Sequence, residues 1–549
     1  MRYVVPVNAP AEVGPLVAAG ADELYCGYQD AWWVERYGDH DSASRRQGAA
    51  NLSSMGELGH AARLAGEHGV PLYLALNARY TEPQLGRLVS LCSAFEGMGG
   101  TGVIVSDLGL LWRLRDATGL VRCLSLLAVT QNAPTLRAYR ELGVSRVVLP
   151  RFMGHDEAGA LLGAVPGMEA EVMAFFDKCP WVDGHCRHRH GVSYLPRGEG
   201  EGPGAVRQRE AAGGGGTSGR VPEERVPEAG GAPRRLGSGD APSWPEPDDA
   251  PLWPEPDDAP PIFTFDTTYQ THACLRTGRA HLWPHPCAAC HLRHYESAGV
   301  GFAKLGGRGQ PLDERLRALR FLREAEAQGT DEERVALYRS TFGEKCACYF
   351  GSAIQDRSAI EGLVGPASRQ DRTYLGSESA LGPFREALAS LCQGRLSGSH
   401  AGITLLVPPL ADGDLAELEA LLPVLAERCQ QGTRLCVNDL GTLVALARVR
   451  REQGLGVALS MGTLLARLDD PDEVVRFTTA SLNPPRMVWG PDGEARVLRY
   501  RRPPETLVRH WRCPSSTEPS AQAALRFLTG GLHVPYEHAP ACHRELEGS

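Results

Sequence analysis

The chain has 549 residues, 42% of them hydrophobic, and a formal net charge of −9. That length exceeds one ordinary hydrophobic core, so two domains plus linker are expected, and the acidic balance argues against a large nucleic-acid footprint, which needs a basic surface. The first residues lack the basic-then-apolar pattern of an export signal and no run of 18 apolar residues occurs, so a soluble cytoplasmic protein without a membrane span is the expectation.

From residue 3 to residue 176 short apolar runs alternate with amphipathic stretches. Strands are expected at Tyr3–Val7, Glu23–Cys26, Pro71–Leu76, Gly102–Val105, Arg122–Leu127, Arg146–Leu149 and Glu171–Phe176. Between them the periodicity predicts helices over Met55–Glu67, Glu82–Phe95, Leu108–Asp116 and Thr135–Leu142, several closing on a glycine such as Gly143. Strands alternating with helices mean parallel βα units. An eighth strand, Val300–Leu305, follows a helix over 288–298, and eight such units point to a (β/α)8 barrel of the TIM type, whose chemistry sits at the C-terminal ends of the strands.

Residues 197–260 are rich in Gly, Pro, Glu and Arg and carry one octapeptide twice, from Trp244 and from Trp253. Such composition buries too little apolar surface to offset chain entropy, so a disordered insertion is expected. Asp313–Glu326 reads as a basic amphipathic helix with a solvated arginine face. After a connecting segment, 346–400, a smaller C-terminal α/β domain over 401–549 is expected, with strands at Ile403–Val407, Arg434–Val437 and Leu455–Leu459 and a helix over Leu415–Arg428. There Val437-Asn438-Asp439-Leu440-Gly441 echoes Val105-Ser106-Asp107-Leu108-Gly109, which suggests a partial duplication of the barrel unit. From Thr478 the tail reads as a hairpin around Pro491-Asp492-Gly493 and then irregular, Pro-rich chain.

Fifteen cysteines are few for a disulfide scaffold of this length and read as thiols or metal ligands. Cys92, Cys123, Cys392 and Cys429 sit in apolar periodic segments and read as small core residues. Cys179 and Cys186 close the seventh strand, and Cys274, Cys287 and Cys290 follow the insertion. Thiolates concentrated on one loop suit tetrahedral zinc or an iron–sulfur cluster, and their number does not decide between them. Cys290 is a spare that can replace Cys287. His185, His188 and His190 flank Cys186, as acid–base or ligating groups or as a solvated loop; Cys346 and Cys348 approach a metal or pack. Asp107 and Asp439, each between a strand and a helix, read either as substrate-orienting carboxylates or as helix N-caps.

The residues that follow carry a resemblance. A strand ending in Cys179, Gly184 and Cys186, the run Ala18–Gly27, Val105–Gly109, Glu141–Arg151, and Ala298–Arg308 with Lys304, Gly307 and Arg308 together resemble the collagenase-like peptidase U32 family over most of residues 1–310. The resemblance implies a U32-type barrel over 1–345 and, in the branch devoted to oxygen-independent hydroxylation, a [4Fe-4S] cluster with prephenate as oxygen donor. By position the cluster ligands are Cys179, Cys186, Cys274 and Cys287, and the site residues are Asp107, His185, Lys304 and Arg308. Two positions depart from the family pattern: its Lys-Ile-Glu-Gly-Arg glutamate is Gly306 here, and its Gly-Ala or Gly-Ser before the first cysteine reads Phe176-Asp177-Lys178.

The expected function is iron–sulfur-dependent hydroxylation of a small molecule or carrier-bound metabolite, with nucleic acid a less favoured substrate. The alternatives are a U32-type peptidase acting through Cys179 or Cys186, an RNA-base hydroxylation protein, and a non-catalytic cluster-bearing subunit that needs a protein partner.

Overall fold

The computed structural model describes residues 1–37, 42–46, 48–128, 130–151, 153–177, 285–343, 349, 404–407, 410, 412–429, 434–437, 439–461, 486–489, 495–498, 519–532 and 534. The described residues belong to one compact unit.

Eight parallel strands close into a barrel in chain order: β1 (Arg2–Pro6), β2 (Glu23–Cys26), β3 (Leu72–Leu76), β4 (Gly102–Val105), β5 (Val121–Leu124), β6 (Val144–Val148), β7 (Glu169–Phe175) and β8 (Phe302–Leu305). The seam is made by β1 and β8, with Arg2 opposite Phe302 and Val4 opposite Lys304. The expected (β/α)8 barrel is therefore present, and each strand boundary lies within three residues of its sequence reading. The strands are short continuous apolar runs because both faces are covered; all five residues of Leu72–Leu76 are buried.

The surrounding helices start where the sequence supplies caps. They are α1 (Val13–Ala18), α2 (Ala31–Tyr37), α3 (Met55–Glu67), α4 (Glu82–Gly97), α5 (Leu108–Ala117), α6 (Ala133–Glu141), α7 (His155–Ala164), α8 (Ala289–Ser297), α9 (Leu312–Glu326) and α10 (Asp331–Phe342). Ser54 accepts from Glu57 N, Asp107 from Leu110 N and Asn132 from Thr135 N, each satisfying a first-turn amide. The solvated arginine face expected on α9 holds for the exposed Arg317 and Arg320 and is corrected for two others: Arg315 is fully buried and bonds Glu12 and the Pro6 carbonyl, while Arg323 holds Asp22 and the Gly20 carbonyl. These side chains tie the last barrel helix back to the first βα unit.

The C-terminal part contains β9 (Thr404–Val407), α11 (Asp412–Cys429), β10 (Arg434–Val437), α12 (Leu440–Gln453) and β11 (Ala458–Met461), with the strands parallel in the order β11-β10-β9. An antiparallel pair, β12 (Arg486–Trp489) and β13 (Ala495–Leu498), forms the expected hairpin. The irregular tail expected after it is corrected by one further helix, α13 (Pro519–Thr529), which packs on α5. Its pattern buries Ala524, Leu525 and Leu528 on one face, a periodicity hidden by the proline-rich flanks.

These elements lean on the outside of the barrel. Asp439 caps α12 and its Oδ1 also accepts from Asn132 Nδ2 and Thr135 Oγ1 at the start of α6, both at 3.1 Å. Gly441 sits at this crossing, where a Cβ would strike the Thr135 amide and Asn132 Oδ1. Gly109 plays the same part on α5, with a Cβ there facing Leu85 and the Ala521 amide of α13. The repeated Asp-Leu-Gly thus marks, in both places, a capped helix whose first turn receives another helix at close range.

Candidate active site

The barrel interior is filled by an ionic chain instead of apolar layers alone. Arg146 from β6 bonds both carboxylate oxygens of Glu23 on β2, at 2.5 and 3.2 Å, and reaches Glu171 of β7 at 3.3 Å. Glu171 in turn takes a 2.7 Å bond from Lys304 Nζ on β8 and a 3.4 Å contact from the Cys123 thiol. The side chains of Glu23, Arg146, Glu171 and Lys304 are all buried. Burial opposes the Lys304 charge, but Glu171 outweighs it and the ammonium is pushed up; burial likewise favours a neutral Glu171, and Lys304 and Arg146 overcome this and pull the carboxyl down. Arg146 and Lys304 also lie over the Phe302 and Tyr25 rings, at 3.6 and 4.4 Å from the centroids.

Above this chain, at the C-terminal ends of the strands, lies an open cavity with about 100 Å³ of space. Its lining combines apolar side chains, Ile104, Leu126, Leu127, Val148 and Met173, with the cations Arg45, Arg46, Arg151, Lys304 and Arg308 and, as the one acid among the described residues, Asp177. Arg308 is 6% exposed and donates from Nη2 to the Ser44 carbonyl at 2.6 Å, while its buried Nη1 has no hydrogen-bond partner among the described residues. Burial, with Arg46 nearby, pushes this guanidinium down to about 10. Gly27 makes room for it, since a Cβ there would meet Arg308 Nη1 and Asn51 Oδ1. Asn77 Oδ1, also in the cavity lining, is buried without a hydrogen-bond partner among the described residues. A buried polar group left unpaired costs free energy, and these two sit in the lining of one cavity.

Asp177 pairs with Arg46 at 2.6 Å and accepts from Gly307 N at 2.8 Å. Burial works against its charge, but Arg46 and the Gly307 amide win and hold it at about 2. Arg46 also donates to the Arg308 carbonyl at 3.2 Å. The loop after β2 is in this way fastened to the loop after β8.

Of the residues singled out in the sequence, Lys304 and Arg308 share the cavity. Asp107 does not line it; its Oδ1 caps α5 at 2.8 Å from Leu110 N, and its Oδ2 takes Tyr80 N at 3.3 Å. Cys287 stands at the C-terminal end of β7, in a bridge with Phe175. Cys179, Cys186, Cys274 and the histidines 185, 188 and 190 lie outside the described residues, as do Cys346, Cys348 and Cys392. Cys92 and Cys123 are buried core residues, as expected. The sequence reading missed Arg46, Asp177 and Glu171; Glu171 carried a signal, a carboxylate inside an otherwise apolar strand, which needs a buried cation opposite it.

For an iron–sulfur cluster, Cys287 offers a fitting donor. Its sulfur accepts from Ala289 N at 3.2 Å, a contact suited to a thiolate, and its backbone is fixed by β7 and by Tyr349 N at 2.7 Å from its carbonyl. Among the described residues no group of three or more His, Cys, Asp or Glu is arranged to hold a metal ion.

With this geometry in hand, comparison with known proteins is informative. Residues 9–201 match the model of peptidase family U32. That match spans about a third of the chain. A curated relative is the tRNA hydroxylation protein P of Haemophilus influenzae, 24% identical over 170 residues, which cover 31% of this chain and 34% of that protein. The chain therefore aligns with about a third of that relative's length. Among solved structures it is similar to the U32 peptidase Mk0906, at 15% identity and a TM-score of 0.25, covering 32% of this chain and 68% of that one. It is also similar to phosphonopyruvate hydrolase in complex with oxalate and Mg²⁺, at 12% identity and a TM-score of 0.23, covering 32% and 67%. Among the described residues no helix is long and apolar enough to cross a membrane.

Proposed function

We propose that the barrel binds a small carboxylate ligand at its mouth and serves an oxygen-independent hydroxylation with prephenate as oxygen donor. The observation that carries this reading is the cationic cavity lining, with the buried Arg308 Nη1 lacking a partner among the described residues and Lys304 held charged by Glu171. Arg308 donates to one ligand carboxylate, a charge-assisted bond at a site water barely reaches. Lys304 supplies a second positive charge from below. The apolar side chains of Ile104, Leu127, Val148 and Met173 receive the ligand's ring or chain. Asn77 Oδ1 accepts from a ligand hydroxyl and orients it. A [4Fe-4S] cluster held by Cys179, Cys186, Cys274 and Cys287 supplies one-electron chemistry when bound.

The test is anaerobic purification with iron and acid-labile sulfide analysis, on wild type and on each of the four Cys→Ala variants, together with calorimetric titration of prephenate. About four irons per chain, reduced in every variant, with prephenate binding lost in Arg308→Ala, is the expected outcome. Iron-free protein, or zinc with no visible absorption, overturns the cluster; proteolysis abolished by Cys179→Ala in metal-free protein would instead establish a peptidase. The hydroxylated substrate is proposed to be a small molecule or carrier-bound metabolite. A second reading, RNA hydroxylation, draws on the name of the H. influenzae relative. It predicts salt-dependent retention of tRNA, which the acidic balance of −9 disfavours.

A further inference from the structure

Gly306 and Asp177 compete for one space in the cavity wall. A Cβ on Gly306 would stand 2.6 Å from Asp177 Oδ2 and 2.9 Å from its Cβ and Cγ, so a side chain at 306 and the carboxylate of 177 exclude each other. The glycine is therefore what admits an acid arriving from β7 to the end of β8. Reaching that place takes an unusual path. Phe176 and Asp177 both lie in the left-handed region, at φ 59° and 51°, a conformation that non-glycine residues adopt only where the surroundings enforce it. What enforces it is visible: Phe176 packs edge-on against Phe175 with centroids 4.8 Å apart, and the carboxylate is gripped by Gly307 N and Arg46.

The consequence is electrostatic. Among the described residues lining the cavity, Asp177 is the only acid, beside Arg45, Arg46, Arg151, Lys304 and Arg308. Its partner Arg46 points one guanidinium nitrogen at Asp177 and the other at the Arg308 carbonyl, so it is both neutralised and held in the wall.

We infer that Asp177 is a specificity-determining residue: its carboxylate occupies the space a side chain at 306 would take, neutralises Arg46, and limits the charge of the anion the cavity accepts, favouring a dicarboxylate over a more highly charged ligand. This rests on the carboxylate-ligand reading above.

The experiment is calorimetric titration of the full-length protein with prephenate, a dianion, and citrate, a trianion at neutral pH. Wild type, Asp177→Asn and the exchange variant Asp177→Gly/Gly306→Glu are compared. Wild type is expected to prefer prephenate. Asp177→Asn keeps the shape and removes the charge, so the affinity ratio of citrate to prephenate rises about tenfold, as the extra ligand charge gains an uncompensated guanidinium a few ångströms away. The exchange variant returns the acid from the β8 side and brings the ratio back to within about threefold of wild type. A purely structural role would lower the melting temperature and leave the ratio alone. An unchanged ratio in Asp177→Asn overturns the inference while prephenate binding stands. Absence of prephenate binding to wild type overturns the ligand reading and the inference with it. If the exchange variant does not fold, Asp177→Asn decides alone.

Discussion

Buried charge is the feature on which individual residues can be tested. Glu171 accepts from Lys304, Arg146 and Cys123 inside the barrel, and Glu171→Gln leaves two cations short of their counter-charge. Removing one partner of a buried pair costs about 3–5 kcal/mol, so chemical denaturation should show a loss of about 3 kcal/mol with little change in slope. The pH dependence has a definite sign. The Glu171 carboxyl lies below its ordinary value of 4.5 in the folded protein, so its stabilisation is complete above that pH and is lost as pH falls through the folded value. Denaturation midpoints taken between about pH 3 and 7 should show this acid-side loss in wild type and a weaker one in Glu171→Gln. Burial of Glu23 raises its carboxyl and acts oppositely, so the difference between the two proteins isolates Glu171. Asp107 answers to a different measurement. Asp107→Ala removes a cap and should cost about 1–2 kcal/mol of stability with prephenate affinity kept within about twofold; a loss of affinity without a loss of stability would return it to the ligand site. Sequence alone left Asp107 open between cap and substrate contact, because an aspartate opening a helix after a barrel strand satisfies both patterns. Lys304 and Arg308 were legible through their motif. Arg46 and Asp177 were not, since nothing local announces that residues so distant in sequence meet over β8.

At the scale of elements, the barrel strands were legible because burial on both faces writes each one as a short apolar run between amphipathic stretches. The short α1, α2 and α7 were passed over, and so was α13, because a helix of few turns between proline-rich flanks gives a weak period. The repeated Asp-Leu-Gly carried more information than its length suggests. It fixes where α12 meets α6, through Asp439, Asn132 and Thr135, with Gly441 N donating to Thr135 Oγ1 at 2.9 Å. Gly441→Ala places a methyl group against the Thr135 amide and forces the two helices apart. A loss of about 1–3 kcal/mol is expected, with faster cleavage of the C-terminal part in limited proteolysis. A variant as stable and as protease-resistant as wild type would mean that α12 docks on α6 less closely than the structure shows. On α5, Ser520 links Arg113 and Glu82 to α13, and the Trp112 and Phe527 rings lie 5.4 Å apart.

The barrel is a ring closed by its first and last strands: β1 must find β8, whose Phe302 pairs with both Arg2 and Glu171. Seven strands emerge from the ribosome in close succession, after which the long Gly- and Pro-rich stretch must be synthesised before the eighth exists. At ~5–20 residues per second that interval lasts on the order of ten seconds. Throughout it the growing chain has two open edges, β1 and β7, each with unpaired amides and carbonyls, and unpaired edges recruit other chains. The buried Glu171 would meanwhile lack Lys304. The nascent protein is therefore most exposed to misassembly during the pause before its last stave arrives, and a chaperone that shields strand edges would matter most in that window.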